Sequence, residues 1–385
     1  MLPGIDVIGY LQFDTEDKIS THPITISLRG RQLQGAGMPE AKLRKADFTG
    51  AQIKGAFLFR ADLREAKFDC GNTGDPRPAC TDLRSTVLQF AQLEGASLTE
   101  AMLMGAALQN TRFEGASLNG AHLEGAGLAG ARFQGAWLEH AQLQGASLTL
   151  GQLQGAMLIK AQLQAADLRG TQLQGASLDQ AQFQGARLAG EPPYLAANLQ
   201  GASLDHVFVW RADVLPPEVQ GARIIAPEAE PKYQGLDCPV SETCDWSPDT
   251  FAALQRLFGD IPRILDRQGP PSRIARLNPA EKLDWRPQTW IDFGQAPPPQ
   301  DYENILAEIL RQTGCDANGA PYVIHGFIGG LIPALYLRFK DRSQAAKLAA
   351  VFLDVANCPG ARDLSEHDKS NLRQLAKLTS TGPMH

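Results

Sequence analysis

Long apolar runs are missing from this 385-residue chain, and their absence excludes whole classes of protein. No N-terminal stretch is apolar enough for a secretory leader, and none reaches the roughly 20 residues of a membrane-crossing helix. The chain opens at Met1-Leu2-Pro3-Gly4, which fits either a natural start or a trimmed leader. Charge of one sign is also scarce. Against 36 basic residues stand 42 acidic ones, and a net charge of −6 gives no reason to invoke direct nucleic-acid binding. Histidines number seven, and none sits in a metalloprotease motif, a phosphate loop or a nucleophile elbow. No catalytic residue, cofactor or metal is therefore assigned, and a non-enzyme is expected.

What the chain has instead is a beat of five. From Leu83 to Leu188 an apolar residue returns every fifth position without a miss. Two residues before each such centre sits something small, among them Ala91, Ala96, Thr111 and Gly151. A helix places apolar residues at three and four, and a half-buried strand alternates them. A strict period of five makes each unit one short side of a coil, and the chain a solenoid. Glutamine gives the number of sides. It follows the centre at Gln134, Gln144, Gln154, Gln164, Gln174 and Gln184, every ten residues. A three-sided coil would stack glutamine on other residues, and two sides would leave no interior. Four sides and a twenty-residue coil remain, and Phe48 with Phe68 and Phe113 with Phe133 fall twenty apart. Ten such coils at strand spacing give a rod of about 45 Å. Its open ends need covering.

At these residues the chain resembles the pentapeptide-repeat family, whose units run Ala-Asp/Asn-Leu. Here they read Ala46-Asp47-Phe48, Ala61-Asp62-Leu63, Ala166-Asp167-Leu168 and Ala197-Asn198-Leu199. The resemblance implies a right-handed, quadrilateral β-helix over about half the chain. It leaves function open, since family members do many things. Often Gln or Ser replaces the Asp or Asn before the centre, a departure that weakens any charge-based role.

The expected organisation has three parts. Residues 1–27 lead into the first coil and cap it; residues 28–225 form the β-helix; residues 226–385 form a mostly α-helical domain. Insertions interrupt the β-helix at 69–80, where the phase is kept and the loop is read as replacing two sides, and at 189–196. After the Pro-rich stretch Pro227–Pro231, helix signals take over. Ser247-Pro248-Asp249 opens one helix, Asp301 to Gln312 reads as another ended by Gly314, and Ser343 to Asn357 as a third. Ser365-Glu366-His367-Asp368 resembles a capping box before the last. The apolar run Tyr322–Leu337, broken by Gly326, Gly329, Gly330 and Pro333, reads as buried core rather than a membrane span. Asp316-Ala317-Asn318-Gly319 reads as a tight turn, since a calcium loop would need further ligands. His325, ten residues after Cys315, invites a Cys–His nucleophile, but a core histidine beside a structural cysteine is the expectation.

Six cysteines suggest three pairs, Cys70–Cys80, Cys238–Cys244 and Cys315–Cys358. Even numbers at loop ends point to disulfides and an oxidising, periplasm-like compartment. Free thiols would instead place the chain in the cytoplasm, and zinc fits poorly with the Cys238–Cys244 spacing.

The functional expectation is a non-catalytic scaffold with an unidentified protein partner and an open oligomeric state. A Gln134/Gln154/Gln174 face and a Gln144/Gln164/Gln184 face either dock that partner or bond along the stack. Two alternatives stand beside it. One is an enzymatic or ligand-binding C-terminal domain. The other, drawn from the family resemblance, is DNA mimicry directed at gyrase. Between Arg29 and Arg223, however, acidic and basic residues balance.

Overall fold

Every fifth residue of the repeat turns inward, and the small residue two before it fills a corner. The computed structural model describes residues 25–71, 79–189, 197–207, 209, 222–225, 232–233, 244–245, 292, 295, 301–315, 320–328, 339 and 342–377. Within the repeat, Leu83, Leu88, Leu93, Leu98 and their successors are sealed from solvent, as are Ala91, Ala96 and Ala101. Burying each Leu or Phe contributes roughly 1.5–3 kcal/mol. The rings of Phe48 and Phe68 stack 4.8 Å apart, and so do those of Phe113 and Phe133.

Parallel bridges join residues twenty apart, four to a coil: Met102 to His122, Ala107 to Gly127, Arg112 to Arg132 and Ser117 to Trp137. We call these sides one to four; their centres in the first full coil after the 69–80 insertion are Leu83, Leu88, Leu93 and Leu98. Side four carries ten rungs from Ser27 to Arg223, about 43 Å at strand spacing. The last step is the parallel pair β1 (Ser203–Asp205) and β2 (Arg223–Ile225).

The first insertion behaves differently from expectation. Gln52 bridges Asp82 and Lys67 bridges Ser97, so no side is replaced. The ten extra residues leave the rod at the corner after side four, where Gly71 and Ala79 exchange backbone hydrogen bonds and Cys70 is bonded to Cys80. The second insertion likewise adds residues between intact sides, since Gln172 bridges Asn198.

Wherever one side runs straight into the next, the second residue after the centre has φ between +55° and +70°. Glycine adopts this freely and other residues at a cost. In this rod Glu40, Arg60, Phe90, Asn110, His140 and Leu150 all adopt it.

Beyond the rod, β3 (Lys232–Tyr233) pairs antiparallel with β4 (Cys244–Asp245). Among the described residues, four helices follow: α1 (Tyr302–Cys315), α2 (Ala320–Ile328), α3 (Arg342–Leu353) and α4 (Glu366–Ala376). They enclose a second core of Leu306, Leu310, Ile324, Phe327, Leu348, Phe352 and Leu372. The α1 face reads Tyr302, Leu306, Leu310, Gly314, one residue per turn. Cys315 is bonded to Cys358 beside a 3-10 turn at Pro359–Ala361. The capping box forms: Ser365 accepts from the Asp368 amide at 3.0 Å and donates its hydroxyl to the Asp368 carboxylate at 2.6 Å. No described helix is long and apolar enough to cross a membrane. The N-terminal cap, the Ser247 helix, the Asp316–Gly319 turn and the Cys238–Cys244 pair lie outside the described residues.

Candidate functional site

The helices do not sit over the end of the rod. They lie along its side, on the corner after side three. There the left-handed position is Lys45, then Glu65, then an unbroken run of Gly95, Gly115, Gly135, Gly155, Gly175 and Gly201. Tyr322 covers Gly95 and Gly115, Phe327 lies over Gly155, and Ile309 over Gly175 and Gly201. At Gly115 a Cβ would overlap the Tyr322 carbonyl, and at Gly155 it would stand 2.8 Å from Leu310 Cδ2. On the helical side, a Cβ on Gly326 would strike the Gly135 carbonyl. Backbone meets backbone here, and only glycine on both partners allows it.

Three polar contacts fix this seam along the rod. Near its start, the Tyr322 hydroxyl donates to Glu65 Oε1 at 3.2 Å. Glu65 also accepts from Arg44 at 2.6 Å and lies 3.5 Å from Lys45. Burial alone would raise the Glu65 carboxyl, but these donors hold it below its ordinary value. Burial pushes the Tyr322 phenol well up, so it stays a donor. In the middle, Trp137 Nε1 donates to the Gly326 carbonyl at 2.6 Å. At the far end the Arg223 guanidinium lies 5.3 Å over the Tyr302 ring.

Among the described residues, two crevices line the seam. The first, about 230 Å³, is lined by Ser117, Trp137, His325, His367, Asp368 and Asn371. His325 Nδ1 is 2.8 Å from the buried Asp368 carboxylate, whose hydrogen bond raises the imidazole pKa. Cys315 is engaged with Cys358, so the Cys–His nucleophile does not form. His325 is half-exposed rather than a core residue. The second crevice, about 340 Å³, is lined by Arg132, Gln134, Gln152, Gln154 and Gln172 of the rod and by Gln312, Thr313 and Val323 of the helices.

Eight overlapping copies of the family described as pentapeptide repeats match residues 27–69, 81–120, 106–145, 126–161, 138–171 and 156–190. The rod is a pentapeptide-repeat domain. Several solved structures are similar to it. HetL of the cyanobacterium Nostoc sp. strain PCC 7120, a pentapeptide-repeat protein involved in heterocyst differentiation regulation, is 27% identical. That match covers 59% of this chain and 96% of HetL, with a TM-score of 0.38. Rfr23 of the cyanobacterium Cyanothece 51142 is 22% identical over 43% of this chain and 93% of its own, at 0.21. QnrB1, a plasmid-mediated fluoroquinolone resistance protein, is 15% identical over 52% and 91%, at 0.23. No curated protein matches the chain.

Within the pentapeptide-repeat rod the two glutamine rows take an unexpected place. Gln144, Gln164 and Gln184 are 0% exposed and Gln134 is 8%. The amides do not bond along their own row. Gln134 donates to Gln152 at 2.7 Å and Gln144 to Gln162 at 2.5 Å, and Gln154 and Gln164 donate to Gln172 and Gln182. Each reaches eighteen residues on, to the residue before the centre of the next coil. The Gln144/Gln164/Gln184 row is therefore wall, not a docking face. Gln134 and Gln154 face the second crevice, where the helices already stand.

Several acids of the repeat are also paired. Asp62, Asp82 and Asp167 each hold the arginine two residues on at 2.6 Å. Glu114, 0% exposed, takes Arg132 at 2.9 Å and Arg112 at 3.4 Å, while Glu94 takes Arg112 at 2.9 Å. Burial still pushes the Glu94 carboxyl up to about 7. Among the described residues, the one grouping of potential metal ligands is Cys70, Cys80 and Glu100, whose thiols are already joined.

The glycine column is the functional feature that sequence reasoning missed. The signal was present as six successive glycines, one per coil, on that corner, where no other corner carries more than three in a row.

Proposed function

We propose that this chain is a non-catalytic interaction scaffold, a pentapeptide-repeat rod braced along one corner by its own helical domain. The carrying observation is the lateral docking on the Gly95–Gly201 column. Among the described residues it commits one corner of the rod to an internal contact and leaves surface on the other sides for a protein partner. Four bridges per twenty residues and the family membership support a closed, right-handed coil. DNA mimicry is not favoured. A duplex carries a charge about every 1.7 Å of axis, whereas the repeat acids described above are neutralised by neighbouring arginines.

We infer further that the protein works in an oxidising compartment. The Cys70–Cys80 and Cys315–Cys358 bonds support this, and Cys238–Cys244 is proposed as a third. Thiol counting on protein from its native cells tests it; six free thiols would exclude it.

The scaffold reading is tested by a surface scan. Lys54→Glu, on the corner after side one, and Glu139→Lys with Lys160→Glu, both on the corner after side four, alter two different open surfaces of the rod. Each is scored for loss of protein partners cross-linked to the wild-type chain in its own cells. Loss confined to one surface identifies the docking side. A wild-type chain that cross-links to no protein defeats the reading.

A further inference from the structure

The base of the 69–80 insertion gathers three metal-binding groups at one corner of the rod. Cys70 and Cys80 leave and rejoin the rod after side four, and Glu100 holds the left-handed position of that corner in the next coil. One atom from each, the two sulfurs and a Glu100 carboxylate oxygen, lie within 4.8 Å of one another. The cysteines are half-buried and Glu100 is exposed, so the group is open to solvent. The frame around the cysteines does not depend on their bond. Asp69 accepts from the Ser97 hydroxyl at 2.5 Å and from the Thr99 amide at 3.1 Å. The Thr81 hydroxyl lies 3.0 Å from both the Asp69 and the Phe48 carbonyl. Gly71 and Ala79 exchange backbone hydrogen bonds at 3.0 and 3.1 Å. The residues on either side of each cysteine are therefore pinned, and two thiols released here stay side by side. The Cys315–Cys358 pair differs: Cys358 is sealed in the helical core, and among the described residues no third metal donor stands by it.

We propose that reduction converts this corner into a site for a thiophilic divalent cation, zinc by its chemistry, held by Cys70, Cys80 and Glu100. A dithiol reductant gives two electrons and two protons to the Cys70–Cys80 bond and leaves as its own disulfide. The cation then displaces the two thiol protons to solvent. Two thiolates favour zinc over calcium and magnesium, which take oxygen ligands. Zinc stands about 2.3 Å from sulfur and about 2.0–2.2 Å from a carboxylate oxygen. A tetrahedral arrangement at those lengths sets the sulfurs about 3.8 Å apart, within the spread of the present grouping. The solvent-facing side leaves the fourth position to water. The base of the insertion is thus closed by the sulfur–sulfur bond in oxidised protein and by the cation in reduced protein. This site is independent of the scaffold reading, which concerns protein partners.

Metal titration of the full-length protein tests it. The chain is reduced, freed of reductant without air, and titrated with Co2+ and then with Zn2+. Thiolate ligation is read from the near-ultraviolet sulfur-to-cobalt charge-transfer band. Reduced wild type should show the band and lose it to Zn2+, while oxidised protein should show none. A Cys70→Ser/Cys80→Ser variant should bind one equivalent fewer. Glu100→Gln keeps both thiols, and its oxidised form keeps the disulfide, so thermal unfolding of that form shows whether the rod is intact. This variant should bind Co2+ at least about tenfold more weakly. Reduced wild type without the band overturns the proposal. So does a serine variant that binds as much cobalt as wild type, as it would if the other four cysteines held the metal. Undiminished affinity in Glu100→Gln overturns it as well, since the carboxylate would then not be a ligand.

Discussion

Two corners of the same rod meet the same backbone demand with different residues. After side three, the left-handed position is glycine six times running from Gly95 to Gly201; after side two it is Arg60, Phe90, Asn110, Gly130, Leu150 and Gly170. The backbone angles are alike, so conformation does not explain the difference. Proximity does: a Cβ at Gly115 would meet the Tyr322 carbonyl, whereas one at Gly55, on a third corner, would meet nothing within 4 Å. In a repeat that tolerates fourteen non-glycine residues at positive φ, an unbroken glycine column marks a neighbour.

The sharpest way to break the comparison is Gly115→Ala against Gly55→Ala. Both place a Cβ at similar φ, +62° and +67°. The backbone strain, about 1–2 kcal/mol, is common to the two. Gly115→Ala adds a clash with main chain and should cost roughly 2–4 kcal/mol in all, with faster exchange across α2. Gly55→Ala should leave the α2 amides untouched. Equal exchange in both variants would mean that the column is not a seat.

Trp137→Phe comes next. It leaves the Gly326 carbonyl in the seam without its donor, at a cost of about 1–3 kcal/mol, measured by thermal or denaturant unfolding. An unchanged midpoint would show that the 2.6 Å bond is not formed in solution.

A smaller effect is expected from Glu94, beside the Gly95 turn. Its folded pKa near 7 lies above that of an unfolded glutamate, about 4.3. Between those values the folded state binds more protons than the unfolded, so this carboxyl makes stability fall as pH rises. Glu94→Gln should match the wild type near pH 4 and exceed it at pH 8. Parallel stability–pH curves for the two would contradict the burial argument.

Much of the rod was legible in advance because its energetics are local and repeated. Leu83 through Leu188 spell the inward column, and the paired Phe spacings set the coil at twenty residues. The 69–80 insertion was misread because phase alone does not distinguish a replaced side from an added loop. Only the Gln52–Asp82 and Lys67–Ser97 bridges do so. The glutamine rows misled for a related reason: spacing shows which residues stack, but not that an amide reaches diagonally to Gln152 or Gln162. The seam was hidden most deeply. Tyr322, Phe327 and Ile309 lie more than a hundred residues beyond the glycines they cover, and helical periodicity does not name a distant partner. One helix start fared better, since the Ser365–Asp368 box is a local signal and forms as expected, whereas α1 runs through Gly314 to Cys315 and α3 stops at Leu353, short of Asn357.

The central claim is that the helical domain is seated on the flank of the rod. A photo-reactive amino acid at Gln312, an exposed residue that lines the second crevice, tests it most directly. Irradiated full-length protein should cross-link within the same molecule to rod peptides spanning residues 132–172. Cross-links confined to residues 290–385, or formed only between molecules, would contradict the lateral seat.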